Sequence, residues 1–486
     1  MACSTDWADW KDVIQNSITR NLNSLRGYKY SKLREDMIES VIERAQHAFS
    51  GECNVVYLRR IAFVYDDNRL TQEEKDDAIL SLTMIKDRYN LLYGKDVTYR
   101  CDICDRSGYM IVWCQHCVVD FLQDEATKWT SMDKHIDRQI LLAQTRAPIP
   151  EAIPEWIPYE LLRNVDYLTQ GGYASVYTAT YMRGLYTRWM KTTKTLSRGL
   201  THFKVVLKKL NWNQPENDFK NELEKHLYVS SVCNAIVRCY GVTRDPVTKD
   251  YMLVLNRMKC DLREYIGSYH SIITWSDINH MCKNIVSGLF YLHKEGLVHR
   301  DLHPGNILRG RIDNNWYIAD LGFTGPPDHT NTTNNIVGNL SYIAPEILTK
   351  KEYSAKSDIY AFGMVLYYAT TFKPPFAGQV HDKALQLEIF RGTRPILSDV
   401  IPRAFTEIIR RCWDADPNKR PKAGGIANFF SKIKIKGGFV PQNATTEVGS
   451  EISTITSGIS TTKLAPLYDT GDSSGASCAI NFSIDI

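Results

Sequence analysis

The sequence predicts an α+β fold in which a small β-rich lobe is followed by a larger α-helical lobe. Short β-branched runs follow Tyr159, and longer helical runs replace them after Asp277. A further observation, four cysteines within positions 101–117, predicts a small metal-binding knuckle in front of the two lobes. The chain has 486 residues, which at about 100 to 200 residues per domain corresponds to about two to four units.

Residues 1–94 are predicted to form a helical region. Apolar residues recur at helical spacing in two runs, namely Met37, Val41, Ile42 and Ala45, then Ala78, Ile79, Leu82 and Ile85. Thr71 followed by Glu74 has the spacing of a capping box and opens the second run. The sequence assigns no role to this region.

The four clustered cysteines are Cys101, Cys104, Cys114 and Cys117. Two CxxC pairs can supply the four thiolates that tetrahedral Zn²⁺ requires, and Gly108 allows the spacer between them to reverse. We therefore expect a structural zinc site within residues 95–120. Reduced or redox-active thiols are the main alternative, and an iron–sulfur cluster is a second one.

The remaining boundaries follow from composition. Residues 121–158 are expected to form a linker that continues a polar helical stretch from Val118 to Gln144. The linker then becomes extended, because four prolines between positions 148 and 158 prevent a helix. Residues 159–435 hold the two lobes, and the Ser/Thr/Gly-rich residues 436–486 are predicted to be a disordered tail. The most apolar run, Ile359 to Phe372, predicts a buried core helix.

Charge and hydropathy narrow the class of protein. A net charge of +4 is nearly neutral for this length, which gives no support to a dedicated nucleic-acid-binding or membrane-surface protein. No stretch approaches the roughly 18 apolar residues of a membrane span, and the start lacks the apolar core of a signal peptide. We expect an intracellular, cytoplasmic protein without nucleic-acid or membrane partners.

The chemistry-bearing residues are concentrated in one short run, His299-Arg300-Asp301-Leu302-His303-Pro304-Gly305-Asn306. An Asp with an Asn five residues later in a loop can place one group on a substrate hydroxyl and the other on a metal ion. Four more elements accompany this run, namely Lys208 at the end of Val205-Val206-Leu207, Asp320-Leu321-Gly322, Ala344-Pro345-Glu346, and Asp358. No G-x-x-x-x-G-K-[ST] element is present, which excludes a P-loop as the source of nucleotide binding.

In their order and spacing these motifs resemble the eukaryotic protein kinase superfamily over about residues 160–435. The resemblance implies a two-lobed protein-kinase fold that transfers the γ-phosphoryl group of ATP to protein hydroxyls in signalling, with Mg²⁺ as cofactor. Tyr342 favours serine/threonine substrates, whereas His303 and Asn339 depart from the serine/threonine pattern. Tyrosine or dual specificity therefore stays open as an alternative.

The resemblance also implies roles for single residues. Asp301 would accept the proton of the attacking hydroxyl, while Asn306 and Asp320 would hold Mg²⁺. Lys208 would grip the ATP phosphates while paired with Glu222, for which Glu224 is the nearest competitor. The nucleotide pocket would be lined by Leu168, Gly171, Gly172, Val176, Val206, Lys208, Leu255, Met258, Leu308 and Asp320.

Supporting residues follow from the same resemblance. Asp358 would brace the catalytic loop, and His299 would pack beneath the metal-binding turn. Glu346 and Arg420 would form an ion pair behind the activation segment.

A narrower resemblance, to an expanded fungal group of tyrosine-kinase-like protein kinases, extends in front of the kinase unit. It is carried by the cysteine segment, Trp129-Thr130-Ser131, Glu155-Trp156-Ile157-Pro158-Tyr159 and Cys412-Trp413-Asp414-Ala415-Asp416-Pro417. Proteins of that group place a short Cys-rich motif just before the kinase domain.

The phosphate-covering loop and the position of His303 depart from the kinase pattern. The phosphate-covering loop keeps Gly171, but Thr169 and Ala174 stand where glycine is usual, which favours weaker nucleotide binding. His303 stands where serine/threonine kinases usually carry a lysine that neutralises the transferring phosphoryl group. A histidine can do this when protonated, or donate a hydrogen bond when neutral.

Residues 182–209 form a basic segment with eight Lys/Arg and no acid. This composition predicts an exposed insertion kept in solution by its charges. A docking site for an acidic or phosphorylated partner is the alternative.

The segment between Asp320 and Glu346 is predicted to hold a switch. It carries Thr330, Thr332 and Thr333 in a polar, turn-prone stretch. A phosphate there could pair with the guanidinium of Arg300 and order the segment.

Two hypotheses for the function result. The first is a Mg-ATP-dependent protein kinase, favoured by the complete set Lys208, Glu222, Asp301, Asn306 and Asp320. The second is a zinc-containing pseudokinase scaffold that binds partners without catalysis, and only the glycine-poor loop favours it.

Overall fold

The computed structural model describes most of the chain between residues 35 and 433. The described residues are 13–14, 17, 35–49, 54–93, 99–108, 110–111, 113–170, 174–190, 193–199, 201–210, 215–311, 313–327, 339–350, 352–380, 382–433 and 438. They belong to two compact units, Met1–Trp156 with Arg183–His202, and Ile157–Met182 with Phe203–Ile486. No helix in the described ranges has both the length and the apolar character that a membrane crossing requires.

The regular elements are numbered in chain order. The helices are α1 (Glu35–Ala48), α2 (Asn54–Tyr65), α3 (Gln72–Tyr93), α4 (Gln115–Ala126), α5 (Lys134–Gln144), α6 (Pro215–Val232), α7 (Leu262–Tyr269), α8 (Trp275–Lys294), α9 (Pro345–Lys350), α10 (Ala355–Thr371), α11 (Lys383–Arg391), α12 (Arg403–Cys412) and α13 (Ala423–Lys432). The strands are β1 (Tyr99–Arg100), β2 (Ser107–Gly108), β3 (Glu155–Trp156), β4 (Leu162–Gln170), β5 (Ala174–Tyr181), β6 (Leu185–Met190), β7 (Thr195–Gly199), β8 (Phe203–Leu210), β9 (Cys239–Arg244), β10 (Tyr251–Asn256), β11 (Cys260–Asp261), β12 (Ile307–Arg309) and β13 (Trp316–Ile318).

The first unit begins with helices, as the sequence predicts. The apolar faces of α1, α2 and α3 meet in one core, in which Val41 and Ile79 are fully buried. The predicted capping box is present, because Glu74 N–H donates to the Thr71 hydroxyl and Thr71 N–H donates to the Glu74 carboxylate. Local spacing was therefore sufficient to predict α1 and α3.

The polar stretch from Val118 to Gln144, predicted as one helical run, is divided into α4 and α5. Met132 adopts a left-handed backbone with φ 60°. The Asp133 carboxylate then accepts the N–H groups of His135 and Ile136 and starts α5. An N-cap aspartate marks the start of a new helix, a signal that apolar periodicity alone does not carry.

The basic segment 182–209 is not the exposed insertion that its charge predicts. Its first part forms the antiparallel hairpin β6–β7, whose Tyr186, Trp189 and Leu196 are buried. Several of its cations are paired within the chain, and these are Arg183 with Glu125, Arg198 with Glu155, Lys208 with Glu222 and Asp320, and Lys209 with Asp250. The number of charges in the segment could not reveal that its aromatic residues face inward. Because several cations are already paired, fewer are left to bind an acidic partner.

In the second unit, antiparallel strands lie side by side in the order β9-β10-β8-β5-β4. The strands predicted at Val205–Leu207 and Met252–Leu255 are the neighbours β8 and β10. Val206 of β8 lies opposite Leu255 of β10. Strand β8 is therefore held on both sides, which gives the lysine near its end a fixed position.

Helices dominate the rest of this unit. The apolar run predicted to be a core helix is α10, whose residues from Ser357 to Thr371 are all buried. Ser354 caps its start, and the helix ends at Phe372, which adopts a left-handed φ of 57°. The order of strands followed by helices confirms the predicted α+β fold class.

Candidate active site and cysteine cluster

Lys208, on β8, lies between two carboxylates. Its Nζ atom is 2.9 Å from Oε1 of Glu222 on α6 and 2.9 Å from Oδ1 of Asp320. Lys208 and Glu222 are almost fully buried, whereas the competing candidate Glu224 is exposed. The structure therefore brings together three of the residues that the sequence singled out.

The buried charges of this group stabilise one another. Burial acts to lower the pKa of Lys208, but the carboxylates of Asp320 and Glu222 raise it above its ordinary value. Burial likewise acts to raise the pKa of Asp320, yet the neighbouring ammonium holds it at about 2. Burial raises the pKa of Glu222. The result is a lysine that stays charged beside an ionised Asp320.

Asp320 begins a tight turn directly after β13. It adopts a left-handed φ of 57°, and its Oδ1 atom accepts the N–H of Gly322 at 3.1 Å. A side-chain carbon at Gly322 would lie 3.1 Å from both the Asp320 and the Glu222 carboxylates, so only glycine fits comfortably. Leu321 is fully buried, which accords with its expected role as an apolar packing residue.

The loop from Asp301 to Asn306 holds its two functional side chains together. Asn306 Nδ2 donates to the Asp301 carbonyl at 2.9 Å and lies 3.4 Å from the Asp301 carboxylate. Ala319 N–H donates to the Asn306 carbonyl at 2.9 Å, and His299 Nε2 lies 3.0 Å from the Ala319 carbonyl. The loop and the Asp320 turn are therefore tied to each other.

Asp358 on α10 supports this loop from below. Its carboxylate accepts the N–H of His299 at 2.8 Å and the N–H of Arg300 at 3.0 Å. It also lies 2.8 Å from Nε2 of His293. Arg300 has a left-handed φ of 73°, a conformation that costs a non-glycine residue energy and that these bonds hold in place.

His303 lies within this loop, with one ring nitrogen hydrogen-bonded and the other facing Asp301. Nδ1 accepts the N–H of Gly305 at 3.1 Å, and Nε2 lies 3.6 Å from Oδ2 of Asp301. Because Nδ1 acts as an acceptor, the proton of the neutral ring is on Nε2, the side of Asp301. The ring is buried, so its orientation is fixed.

The expected ion pair behind the activation segment is present. The guanidinium of Arg420 donates to both carboxylate oxygens of Glu346, at 2.6 and 2.7 Å. Arg420 is 1% exposed, and its Nε atom donates to the Asp414 carbonyl. A bidentate pair at this depth fixes the start of α9 firmly.

The predicted nucleotide-pocket residues lie mainly on the sheet. Those that are buried are Val176 on β5, Val206 on β8, Leu255 on β10, Met258 just after β10 and Leu308 on β12. Leu168 on β4 is 37% exposed, and Val176 lies opposite Lys208. Gly171 and Gly172 lie outside the described residues.

One buried polar residue was not singled out from the sequence. His226 lies on α6 four residues after Glu222, on the same helix face, and is 1% exposed. Its Nε2 atom lies 3.0 Å from the Val237 carbonyl, while Nδ1 has no hydrogen-bond partner among the described residues. Burial lowers the pKa of this imidazole to about 4, so the ring is neutral near pH 7. The spacing from Glu222 was the only signal that could have found it.

The four predicted metal ligands converge in the first unit. The Sγ atoms of Cys101, Cys104, Cys114 and Cys117 all lie within 4.8 Å of one another. The Sγ atoms of Cys104 and Cys114 are 3.5 Å apart, and those of Cys101 and Cys117 are 3.8 Å apart. Four sulfurs around a zinc ion with Zn–S bonds of about 2.3 Å are about 3.8 Å apart, whereas a disulfide requires about 2 Å. The donor set and its spacing fit tetrahedral zinc.

The thiols differ in acidity. Burial acts to raise the pKa of Cys104, but hydrogen bonds from the backbone and side chain of Arg106 lower it to about 6. Burial raises the pKa of Cys114 to about 11 and that of Cys117 still further. A metal ion bound here would therefore displace protons from the more buried thiols.

Comparison with known proteins places this geometry in context. The family model described as "Protein kinase domain" matches residues 183–429, just over half of the chain. A probable serine/threonine-protein kinase of Dictyostelium discoideum is 32% identical over 47% of the chain. The dual specificity protein kinase shkE of the same organism is 29% identical over 58%. The serine/threonine/tyrosine-protein kinase HT1 of Arabidopsis thaliana is 29% identical over 45%.

These relatives are longer than the region they share with this chain. The matches cover 18%, 38% and 55% of the three proteins, in the order given. The resemblance to the narrower fungal group stays a prediction.

Proposed function

The chain belongs to the protein kinase family, and from this premise we propose that it transfers the γ-phosphoryl group of ATP to serine and threonine hydroxyls of protein substrates in a signalling role. One observation carries the proposal above all. Lys208 lies 2.9 Å from both Glu222 and Asp320, the pairing that an ATP-binding kinase needs before catalysis. A fold retained only as a scaffold would not need these buried charges, which are costly to desolvate.

The side chains divide the chemistry among them. Asp301 is placed to accept the proton of the attacking hydroxyl, and Asn306 keeps that carboxylate oriented. Asp320 and Asn306 offer the carboxylate and amide oxygens that suit Mg²⁺. When bound, Mg²⁺ would neutralise charge on the ATP phosphates. Lys208 is the ammonium available to the α- and β-phosphates.

The names of the relatives differ in substrate specificity. They describe serine/threonine, dual-specificity and serine/threonine/tyrosine kinases. We propose serine/threonine specificity, supported by Tyr342 ahead of Ala344-Pro345-Glu346, with dual specificity as the alternative outcome.

A second component of the proposal concerns the cysteine cluster. We infer that Cys101, Cys104, Cys114 and Cys117 hold one structural zinc ion. The mutual distances of the sulfurs support this inference over free or disulfide-bonded thiols.

An assay with labelled ATP, Mg²⁺ and a generic protein substrate tests the phosphotransfer. Asp301→Asn should lower kcat by about 10² to 10⁴, because the proton acceptor is removed. Asp399→Asn, at an exposed position, is the matched control and should be as active as the wild type. Equal activity of Asp301→Asn and the wild type would rule out the kinase mechanism, and phosphoamino-acid analysis of the product decides the specificity.

A further inference from the structure

The hairpin β6–β7 lies within the stretch that matches the kinase family, yet it packs on the cysteine segment. Tyr186, Trp189 and Leu196 of the hairpin are buried in the same cluster as Met110 and Trp113. Phe121 of α4 meets Trp189 edge-to-face, with ring centroids 6.1 Å apart. The apolar face of the hairpin is therefore covered by residues that surround the four cysteines.

An ion pair and a hydrogen bond from Arg198 also hold the hairpin. The guanidinium of Arg198 on β7 donates to both oxygens of Glu155, at 2.8 and 2.5 Å, and to the Gly184 carbonyl at 2.8 Å. It also lies 3.8 Å from the centre of the Tyr186 ring. Arg198 and Glu155 are largely buried, so the pair fixes one position of the hairpin rather than several.

The cysteines form one edge of this packed cluster. Cys117 is buried in it, and Cys101, Cys104 and Cys114 pack against it partly exposed. Up to Cys114 the segment has little regular structure, since β1 and β2 contain two residues each, while Cys117 lies in the first turn of α4. A segment of this size has little core of its own, and small domains of this kind are commonly stabilised by a structural metal ion.

We propose that zinc bound by the four cysteines shapes the surface on which the hairpin packs, so that the metal orders the insertion Leu185–Gly199 of the kinase domain. The proposal rests on the zinc assignment made above and is independent of phosphotransfer. The ligand of the site is a divalent metal that prefers thiolates. Binding of this metal and ordering of the hairpin are then energetically coupled. Because such coupling is reciprocal, a substitution that destabilises the hairpin must also weaken metal binding by the four cysteines.

The test uses the full chain. Elemental analysis should find one zinc per chain, and its absence would overturn both the zinc assignment and this proposal. Hydrogen exchange is then measured before and after zinc is removed with a strong chelator, and again after one equivalent of Zn²⁺ is restored. Exchange in peptides covering 185–199 should rise at least about tenfold without the metal and recover with it. Helix α8 should be unaffected.

Two variants make the test reciprocal. Trp189→Ala should raise the zinc dissociation constant at least about tenfold in competition with a chelating dye, which equals a coupling of about 1.4 kcal/mol. Lys194→Ala, in the exposed hairpin turn, is the control and should leave it unchanged. Zinc that is present while hairpin exchange is the same with and without it would overturn the coupling and leave the zinc assignment standing. That measurement on the wild type decides the matter if Trp189→Ala does not fold.

Discussion

The Nε2 atom of His303 faces the Oδ2 atom of Asp301 at 3.6 Å, while Nδ1 of the same ring caps the turn at Gly305. The imidazole therefore has two contacts, one that caps a turn of the loop and one that faces the proposed proton acceptor Asp301. Substitutions of His303 can separate these two contacts, because the side-chain amide of asparagine reproduces the position of Nδ1 and that of glutamine reproduces the position of Nε2.

We predict that His303→Asn keeps the cap but loses the contact to Asp301. Its kcat should fall by about tenfold, corresponding to about 1.4 kcal/mol of transition-state stabilisation, with KM for ATP and the thermal midpoint unchanged. His303→Gln should keep more activity and lose more stability. If both variants lose activity only in step with stability, the histidine is a structural cap and nothing more.

Removal of Lys208 should destabilise the second unit as well as abolish ATP binding. Lys208→Met leaves the buried carboxylate of Glu222 and the partly buried carboxylate of Asp320 without their cation, at a cost of about 3 to 5 kcal/mol. Thermal unfolding and calorimetric titration with Mg-ATP measure the two effects. Lys204→Met, on the same strand but exposed to solvent, is the control. An unchanged unfolding midpoint in Lys208→Met would contradict the inferred role of the buried pair.

The buried His226 should make the second unit sensitive to acid. Its pKa in the folded state, about 4, is lower than the ordinary value of 6.5, because burial disfavours the charged ring. The unfolded chain therefore binds the proton first as the pH falls. Stability is complete above about pH 6.5 and declines until about pH 4, with a loss on the order of 3 kcal/mol.

His226→Gln should remove that acid sensitivity, because the amide can still donate to the Val237 carbonyl but does not titrate. Denaturant unfolding at pH 7 and pH 5 measures the difference. His135→Gln, at an exposed histidine, should retain the pH dependence of the wild type. An equal pH dependence in His226→Gln would show that other groups cause it.

Phosphorylation of the activation segment should raise activity. Thr330, Thr332 and Thr333 lie outside the described residues, but Arg300, their proposed partner, donates to the Pro326 carbonyl at 2.5 Å near the start of that segment. A phosphate would add about −1.5 to −2 charge opposite this guanidinium. Phosphatase treatment should lower activity, and the triple alanine variant should match the treated protein. A triple alanine variant as fast as the phosphorylated wild type would refute the switch.

The residues that meet in the candidate site could be singled out from the sequence because their motifs can be read along the chain, while their catalytic roles stay a prediction. Asn306 follows Asp301 by five residues within one loop, and Glu222 lies on the helix that follows the Lys208 strand. Such relationships are visible along the chain, and the structure places these side chains within hydrogen-bond distance of their neighbours. The convergence of the four cysteines could be predicted in the same way, from the spacing of the two CxxC pairs.

Contacts between distant segments could not be predicted where no family motif marks the residues. Trp189 meets Phe121 across a separation of 68 positions, and no spacing rule connects them. The charges of residues 182–209 pointed to solvent exposure, while the buried apolar residues of β6 and β7 determined the outcome. His226 was missed for a related reason, since a single histidine in a helix gives no sign of its burial.

The cysteine segment covers the apolar face of the hairpin, and this packing has a consequence for the evolution of the protein. A lineage that lost the cysteine segment would expose Tyr186, Trp189 and Leu196 to water, and one that lost the hairpin would leave Met110 and Trp113 bare. Neither loss is tolerable alone, because either uncovers an apolar patch that promotes aggregation. The two segments, although separated by strands β4 and β5 along the chain, should be inherited together or discarded together among related proteins.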